Sequence, residues 1–205
     1  MMKWYANPRI WFVLAAVLPL GAFFAPLWGI RLYAPQYPEG ISMYIWADRI
    51  TGQLDLVNGL NHYIGMKAIE PEAIPELRWM PPIIVAAAVS GLLVAWQSSL
   101  VLAALWLAGF VGMGLLGLYD FYLWGYDYGH NLDPHAPIKI PGMTYQPPLI
   151  GVKELLNFTA VSYPHVGAVA LGAAALCGAV GLCLLWRERR VVSEACPPLA
   201  VSATR

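Results

Sequence analysis

The sequence predicts an all-α membrane protein with four transmembrane helices, both termini cytoplasmic and two long Pro/Gly-rich outer loops carrying short interfacial helices. Three observations carry this. Hydrophobic residues make up 59% of the 205-residue chain and charged residues only 12%, where a soluble domain carries about 25%. The apolar residues are gathered into four runs separated by polar, proline-rich stretches. Nine Trp and eleven Tyr suit aromatic belts at membrane–water interfaces. A net charge of zero gives no basis for nucleic-acid binding.

The first run, residues 10–30, follows Lys3 and Arg9. Ala22-Phe23-Phe24-Ala25 faintly resembles a signal-cleavage site, but Pro26 follows it and the apolar stretch exceeds a typical signal core. An uncleaved helix kinked at Pro19 is expected. The second run, residues 80–97, opens with Pro81-Pro82, where proline fits a helix start. It is short for a span, since a helix needs about 20 residues to cross the hydrocarbon core. The third run, 100–122, follows after Gln97-Ser98-Ser99, so the two form a helical hairpin. The fourth, 165–186, ends at Arg187-Glu188-Arg189-Arg190. Its small residues recur four apart, Ala170/Ala174/Gly178 and Ala173/Cys177/Gly181, which makes it a packing helix.

Four spans put both termini on one side. The N-terminal segment, the hairpin turn and the tail 187–205 carry six basic and two acidic residues; the other side carries six basic and ten acidic. The positive-inside rule then places the termini in the cytoplasm and loops 31–79 and 123–164 outside. Cys177, Cys183 and Cys196 show no CxxC spacing and no disulfide framework.

All four histidines lie in or beside the outer loops. In the first loop, Ile50, Leu54, Val57 and Ile64 have helical spacing, weakened by Gly52, Gly59 and Gly65. An interfacial amphipathic helix there would set Asn58, His62 and Met66 on one face. A His and a Met one turn apart suit a soft metal such as Cu(I); the alternative is a packed, ligand-free pair. In the second loop, Asp127, His130, Asp133 and His135 form D-x2-H-x2-D-x-H, with Met143 shortly after. Imidazole and carboxylate suit Zn or Cu(II), and a thioether adds a soft donor. Asn131-Leu132-Asp133-Pro134 is equally a plain turn. Residues 152–161 are expected to form a short interfacial helix. The Asn157-Phe158-Thr159 sequon carries no weight.

His165 stands at the mouth of the fourth span and His130 just past the third. If the spans are neighbours, the two imidazoles approach, which allows a shared metal or a haem. Asp120, near the outer end of the third span, needs a partner or water, and Arg31 is a candidate partner. No span carries a central charge, which argues against a channel or a midplane transporter. No nucleophile–base motif, phosphate loop or zincin pattern points to an autonomous enzyme.

The tracts VNGLNHYIGMK (57–67) and IKIPGMTYQPPLIG (138–151), the latter followed by LLNF, resemble small polytopic membrane proteins of bacterial nitrous oxide reductase gene clusters, the NosB-like proteins. The resemblance implies a respiratory accessory protein of the bacterial inner membrane serving a copper enzyme outside the cytoplasm. It transfers no residue roles. The expected function is therefore support of a periplasmic copper-dependent reductase, by assembly, metal presentation or electron supply, with the lipid bilayer and a periplasmic or membrane protein as partners. Candidate metal ligands are His62, Met66, Asp127, His130, Asp133, His135 and Met143, and copper is the candidate metal. The alternatives are a redox subunit with a quinol or haem site near His165 and Asp120, and a ligand-free scaffold docking a periplasmic partner.

Overall fold

The structure, a computed structural model, describes residues 4–195. It overturns the all-α expectation: a five-stranded antiparallel sheet, ordered β3-β2-β1-β5-β4, stands at one end of the apolar helices.

Helix α1 (Pro8–Val17) starts after Asn7, whose side chain accepts from the Arg9 N–H, with proline at its first position. At Leu18 it tightens into a 3₁₀ stretch, Leu18–Phe23, around Pro19. Pro19 lacks an N–H and Gly21 favours no helix, so the chain cannot continue as the single helix expected over 10–30. Where four spans were expected, three helices among the described residues are long and apolar enough to cross a membrane: α3 (Glu76–Gln97), α4 (Leu100–His130) and α5 (Val166–Ala195); the apolar stretch Pro8–Phe23 is shorter. This makes the chain a membrane protein. α3 begins before Pro81-Pro82, which therefore lie inside it, and α4 runs eight residues beyond the expected end at 122.

The sheet is built by segments read as span and loop. β1 (Trp28–Ala34) pairs with β2 (Tyr37–Ile45) and with β5 (Phe158–Pro164); β3 (Ile50–Gly52) and β4 (Gly151–Leu155) are the edges. In β1 the alternation is visible once Trp28-Gly29-Ile30 is removed from the first apolar run. Trp28, Ile30 and Leu32 face one side; Gly29, Arg31 and Tyr33 face the other. The apolar side meets Ile41, Met43 and Ile45 of β2 and is covered by Leu54, Val57 and Leu60 of α2 (Leu54–Ile64), with Phe121 of α4 at its margin. So the amphipathic helix expected in the first loop forms, but its apolar stripe covers a sheet. The interfacial helix expected over 152–161 is instead the β4–β5 hairpin. Its two-residue turn holds Leu156 at φ +56°.

The opposite end of the helices is tied by Ser98 in the α3–α4 turn. Its hydroxyl accepts from Arg9 Nε at 2.9 Å and its carbonyl from Arg189 Nη2 at 3.3 Å. The start of α1, that turn and the end of α5 therefore meet, and both long connecting segments lie at the sheet end. Phe12, Ala15, Val94, Trp106 and Leu185 form the core between the helices, with Trp106 edge-on to Phe12. As expected, the small residues of α5 admit neighbours. An added Cβ at Gly178 would stand 2.8 Å from the Trp106 ring, and one at Gly181 2.9 Å from the Phe12 ring.

Candidate functional site

The two connecting segments join where α2 ends. Gly65, at φ +81°, terminates α2 in the left-handed conformation that glycine tolerates. The Met66 N–H turns back to the Asn61 carbonyl at 2.9 Å. Onto this turn folds the chain that follows α4. The Asp133 N–H donates to the Gly65 carbonyl at 2.8 Å and the Ile138 N–H to the Tyr63 carbonyl at 2.9 Å. Lys67 Nζ donates to Asp127 Oδ2 at 2.7 Å. The fit is close: a Cβ on Gly65 would lie 2.9 Å from the Ala136 methyl and 3.0 Å from the Asp133 carbonyl oxygen.

This junction gathers segments bearing six of the seven candidate ligands, although their side chains do different things. His62 is exposed on α2, its ring edge-on to Tyr63. Met66 lies beyond the helix end, so the shared helical face expected for Asn58, His62 and Met66 is broken by Gly65. Asn58 is no ligand: it holds the returning strand by accepting from the Ile69 N–H at 2.8 Å and donating to the Ile69 carbonyl at 3.1 Å. Asp127 is engaged by Lys67 and by the Asn131 side chain. His130 Nδ1 meets the Tyr126 carbonyl at 2.9 Å and its ring stacks on Tyr126. Asp133 accepts from the His135 N–H at 2.7 Å and lies 3.3 Å from His135 Nδ1. The His135 backbone N–H holds the Asp133 carboxyl below the usual carboxylate range, with the His135 side chain and Lys139 adding to it. Met143 sits half-buried in a turn closed by its N–H to the Ile140 carbonyl.

Among the described residues no three His, Cys, Asp or Glu side chains are grouped to hold a metal. A closed site of zinc type therefore does not fit. The donor types present, imidazole and thioether, are those a soft ion of low coordination number prefers.

The remaining candidates lie elsewhere. His165 packs against Tyr44 and Tyr163, with ring centroids 5.6 and 6.1 Å away, and its Nδ1 is buried without a partner. No ring contact joins it to His130 among the described residues. Asp120 has a like charge, Glu76, as its electrostatic neighbour. Arg31 lies beside tyrosines of the sheet and is not its partner.

Residues that spacing alone did not flag do much of the positioning. Gly65 sets the junction. Gly129 lets the segment carrying Gln146 lie directly on α4, where the Tyr145 N–H donates to the Gly129 carbonyl at 2.9 Å. Ser162, buried in β5, accepts from Trp28 Nε1 and donates to the Leu149 carbonyl. For Gly65 the signal was a glycine at the end of the helix expected in the first loop; Gly129 lay in what read as the second loop, so nothing marked it.

Residues 61–119, from the last turn of α2 to just before Asp120, match the model of a family described as MHYT, bacterial signalling protein N terminal repeat. The match includes His62 and Met66, all of α3 and most of α4. No curated protein and no solved structure matches the chain.

Proposed function

We propose that this chain is a multi-pass protein of the bacterial inner membrane, with the sheet end outside the cytoplasm, that supports a copper-dependent respiratory reductase by presenting copper at the α2–α4 junction. Copper is cargo in this reading. His62 and Met66 would hold it, with His130 or His135 taking a share during transfer to the enzyme. Exposure suits such a handover, because a deeply enclosed ion leaves slowly. The observation that carries the reading is the docking of the α4–β4 segment on the end of α2, which places both donor-bearing stretches on one water-facing surface. The resemblance of tracts 57–67 and 138–151 to proteins of nitrous oxide reductase clusters supplies the enzyme. The charge asymmetry supplies the orientation.

The test is competition against a Cu(I) chelator with detergent-purified protein. Wild type should retain about one copper per chain. The His62→Ala/Met66→Ala variant should lose it, and His165→Ala should keep it. Equal copper in wild type and the double variant removes the reading.

A second reading is favoured by the family match: a membrane input module for signalling, in which the same junction senses a ligand and α3 and α4 carry the change. A deletion strain separates the two. Loss of copper from the reductase fits presentation; a fully metallated reductase with an altered transcriptional response fits signalling.

A further inference from the structure

The sheet has a second face that the copper reading does not use. On the middle strand β1, Gly29 lies between Tyr44 of β2 and Tyr163 of β5; Arg31 lies between Ser42 and Val161; Tyr33 lies opposite Thr159. Directly opposed residues project to the same side of a sheet, so Arg31 is ringed by Tyr33, Tyr44 and Tyr163. Two glycines make room. A Cβ on Gly29 would stand 2.7 Å from the Tyr163 ring, and one on Gly40 2.8 Å from the Tyr33 ring. Arg31 lies beside the Tyr44 and Tyr33 phenols, which strengthen its hold on its proton, while Arg31 lowers the Tyr44 phenol.

Arg31 is exposed, and no carboxylate lies within 4 Å of it among the described residues. His165 completes the cluster beside Tyr44 and Tyr163, with Nδ1 buried and unpartnered. An exposed guanidinium without a counter-ion, with phenolic hydroxyls on both sides, makes a receptor for an anion with several acceptor oxygens, and the His165 ring backs Tyr44 and Tyr163.

The position narrows the choice of anion. β5 leads through His165 directly into α5, whose first turn exposes Val166 and Val169 by 62% and 63%. β1 follows the apolar stretch that ends at Phe23. The tyrosine–arginine face thus stands where the apolar helices give way to water. That is the headgroup layer, roughly 5–7 Å deep on each side of the hydrocarbon, in which tyrosine and arginine are favoured anchors.

We propose that Arg31, with Tyr33, Tyr44 and Tyr163, binds the phosphate of an anionic glycerophospholipid at the sheet end of the membrane. The lipid anchors the sheet over the helices. The guanidinium fork takes the two non-bridging phosphate oxygens, whose remaining lone pairs accept from the phenols.

Native mass spectrometry and titration of delipidated full-length protein with phosphatidylglycerol, phosphatidylcholine and inorganic phosphate test this. Wild type should bind phosphatidylglycerol saturably and in preference to phosphatidylcholine. Arg31→Gln should weaken it about tenfold, Arg31→Lys and Tyr44→Phe about threefold each, and Lys153→Gln, on the other side of the sheet, should change nothing. If Arg31→Gln is poorly folded, the Tyr44→Phe and Arg31→Lys arms decide. Equal lipid binding in all variants overturns the proposal. So does saturable inorganic phosphate binding without lipid preference, which would make the site one for a free anion.

Discussion

Replacing Ser162 with alanine removes a single oxygen and strands two groups. Ser162 is 1% exposed. Its hydroxyl accepts from Trp28 Nε1 at 2.8 Å and donates to the Leu149 carbonyl at 2.9 Å, so one atom ties β1, β5 and the Pro147-Pro148-Leu149 segment. Alanine leaves the indole N–H buried without a partner and the half-buried Leu149 carbonyl without this donor. An orphaned buried group costs about 1–3 kcal/mol, and a neutral hydrogen bond that merely exchanges with water about 1 kcal/mol. Water has little access to the indole and partial access to the carbonyl, so the expected loss is about 2–4 kcal/mol. At roughly 2–4 °C per kcal/mol for a chain of this size, Tm should fall by about 5–15 °C. Trp28→Phe strands only the Ser162 acceptor and should cost about half as much. The double variant should cost less than the sum, because the singles share the Trp28–Ser162 bond. Thermal unfolding in detergent, followed by Trp fluorescence, measures all three. A Tm for Ser162→Ala within 1 °C of wild type, or strict additivity with Trp28→Phe, would refute the reasoning.

Three further outcomes follow from the same geometry. Gly65→Ala must hold alanine at φ +81° against the Asp133 carbonyl and the Ala136 methyl; it should cost about 1–3 kcal/mol and expose residues 133–138 to limited proteolysis with α3 to α5 left intact. Leu156→Gly relieves a left-handed leucine in the β4–β5 turn and should raise Tm by a few degrees, since the ~1–2 kcal/mol of relieved strain exceeds the ~0.5–1 kcal/mol entropy cost of glycine. Asp133 has a carboxyl pKa depressed by the His135 N–H, so its contribution to the docked loop is full above the ordinary value of about 3.9 and is lost as pH falls through the lower folded value; proteolysis of residues 133–138 should be flat from pH 7 to about 5 and rise below about 4, and Asp133→Asn should abolish that rise.

The helices were legible because α3, α4 and α5 are long apolar runs, which no other local pattern imitates. The sheet was not. Trp28-Gly29-Ile30 prolongs the first apolar run without a polar break, so the alternation that marks β1 started inside what read as a span. In the β4–β5 hairpin, Lys153-Glu154 looks like a helix start. The turn carries Leu156 where a glycine would have announced it. The spacing of His62 and Met66 was visible, but whether they share a helical face depended on Gly65, whose left-handed geometry ends α2 at Ile64, two residues before Met66. The two histidine-bearing segments meet at one end of the molecule, although the structure has three helices of spanning length and not the four that were counted. That they touch follows from two backbone hydrogen bonds that no side-chain pattern encodes. The ring of tyrosines around Arg31 comes from three strands whose members lie up to 134 residues apart, Gly29 against Tyr163, and sequence distance hid it.

The junction between the end of α2 and the segment after α4 is the feature on which the functional reading rests, and amide hydrogen exchange in lipid nanodiscs measures it directly. The Asp133 and Ile138 N–H groups, bonded to the Gly65 and Tyr63 carbonyls, should exchange slowly and be released together by Gly65→Ala, while the Arg31–Tyr44 face is unaffected. Exchange of both amides at the rate of an unstructured loop in the wild-type protein would contradict the account.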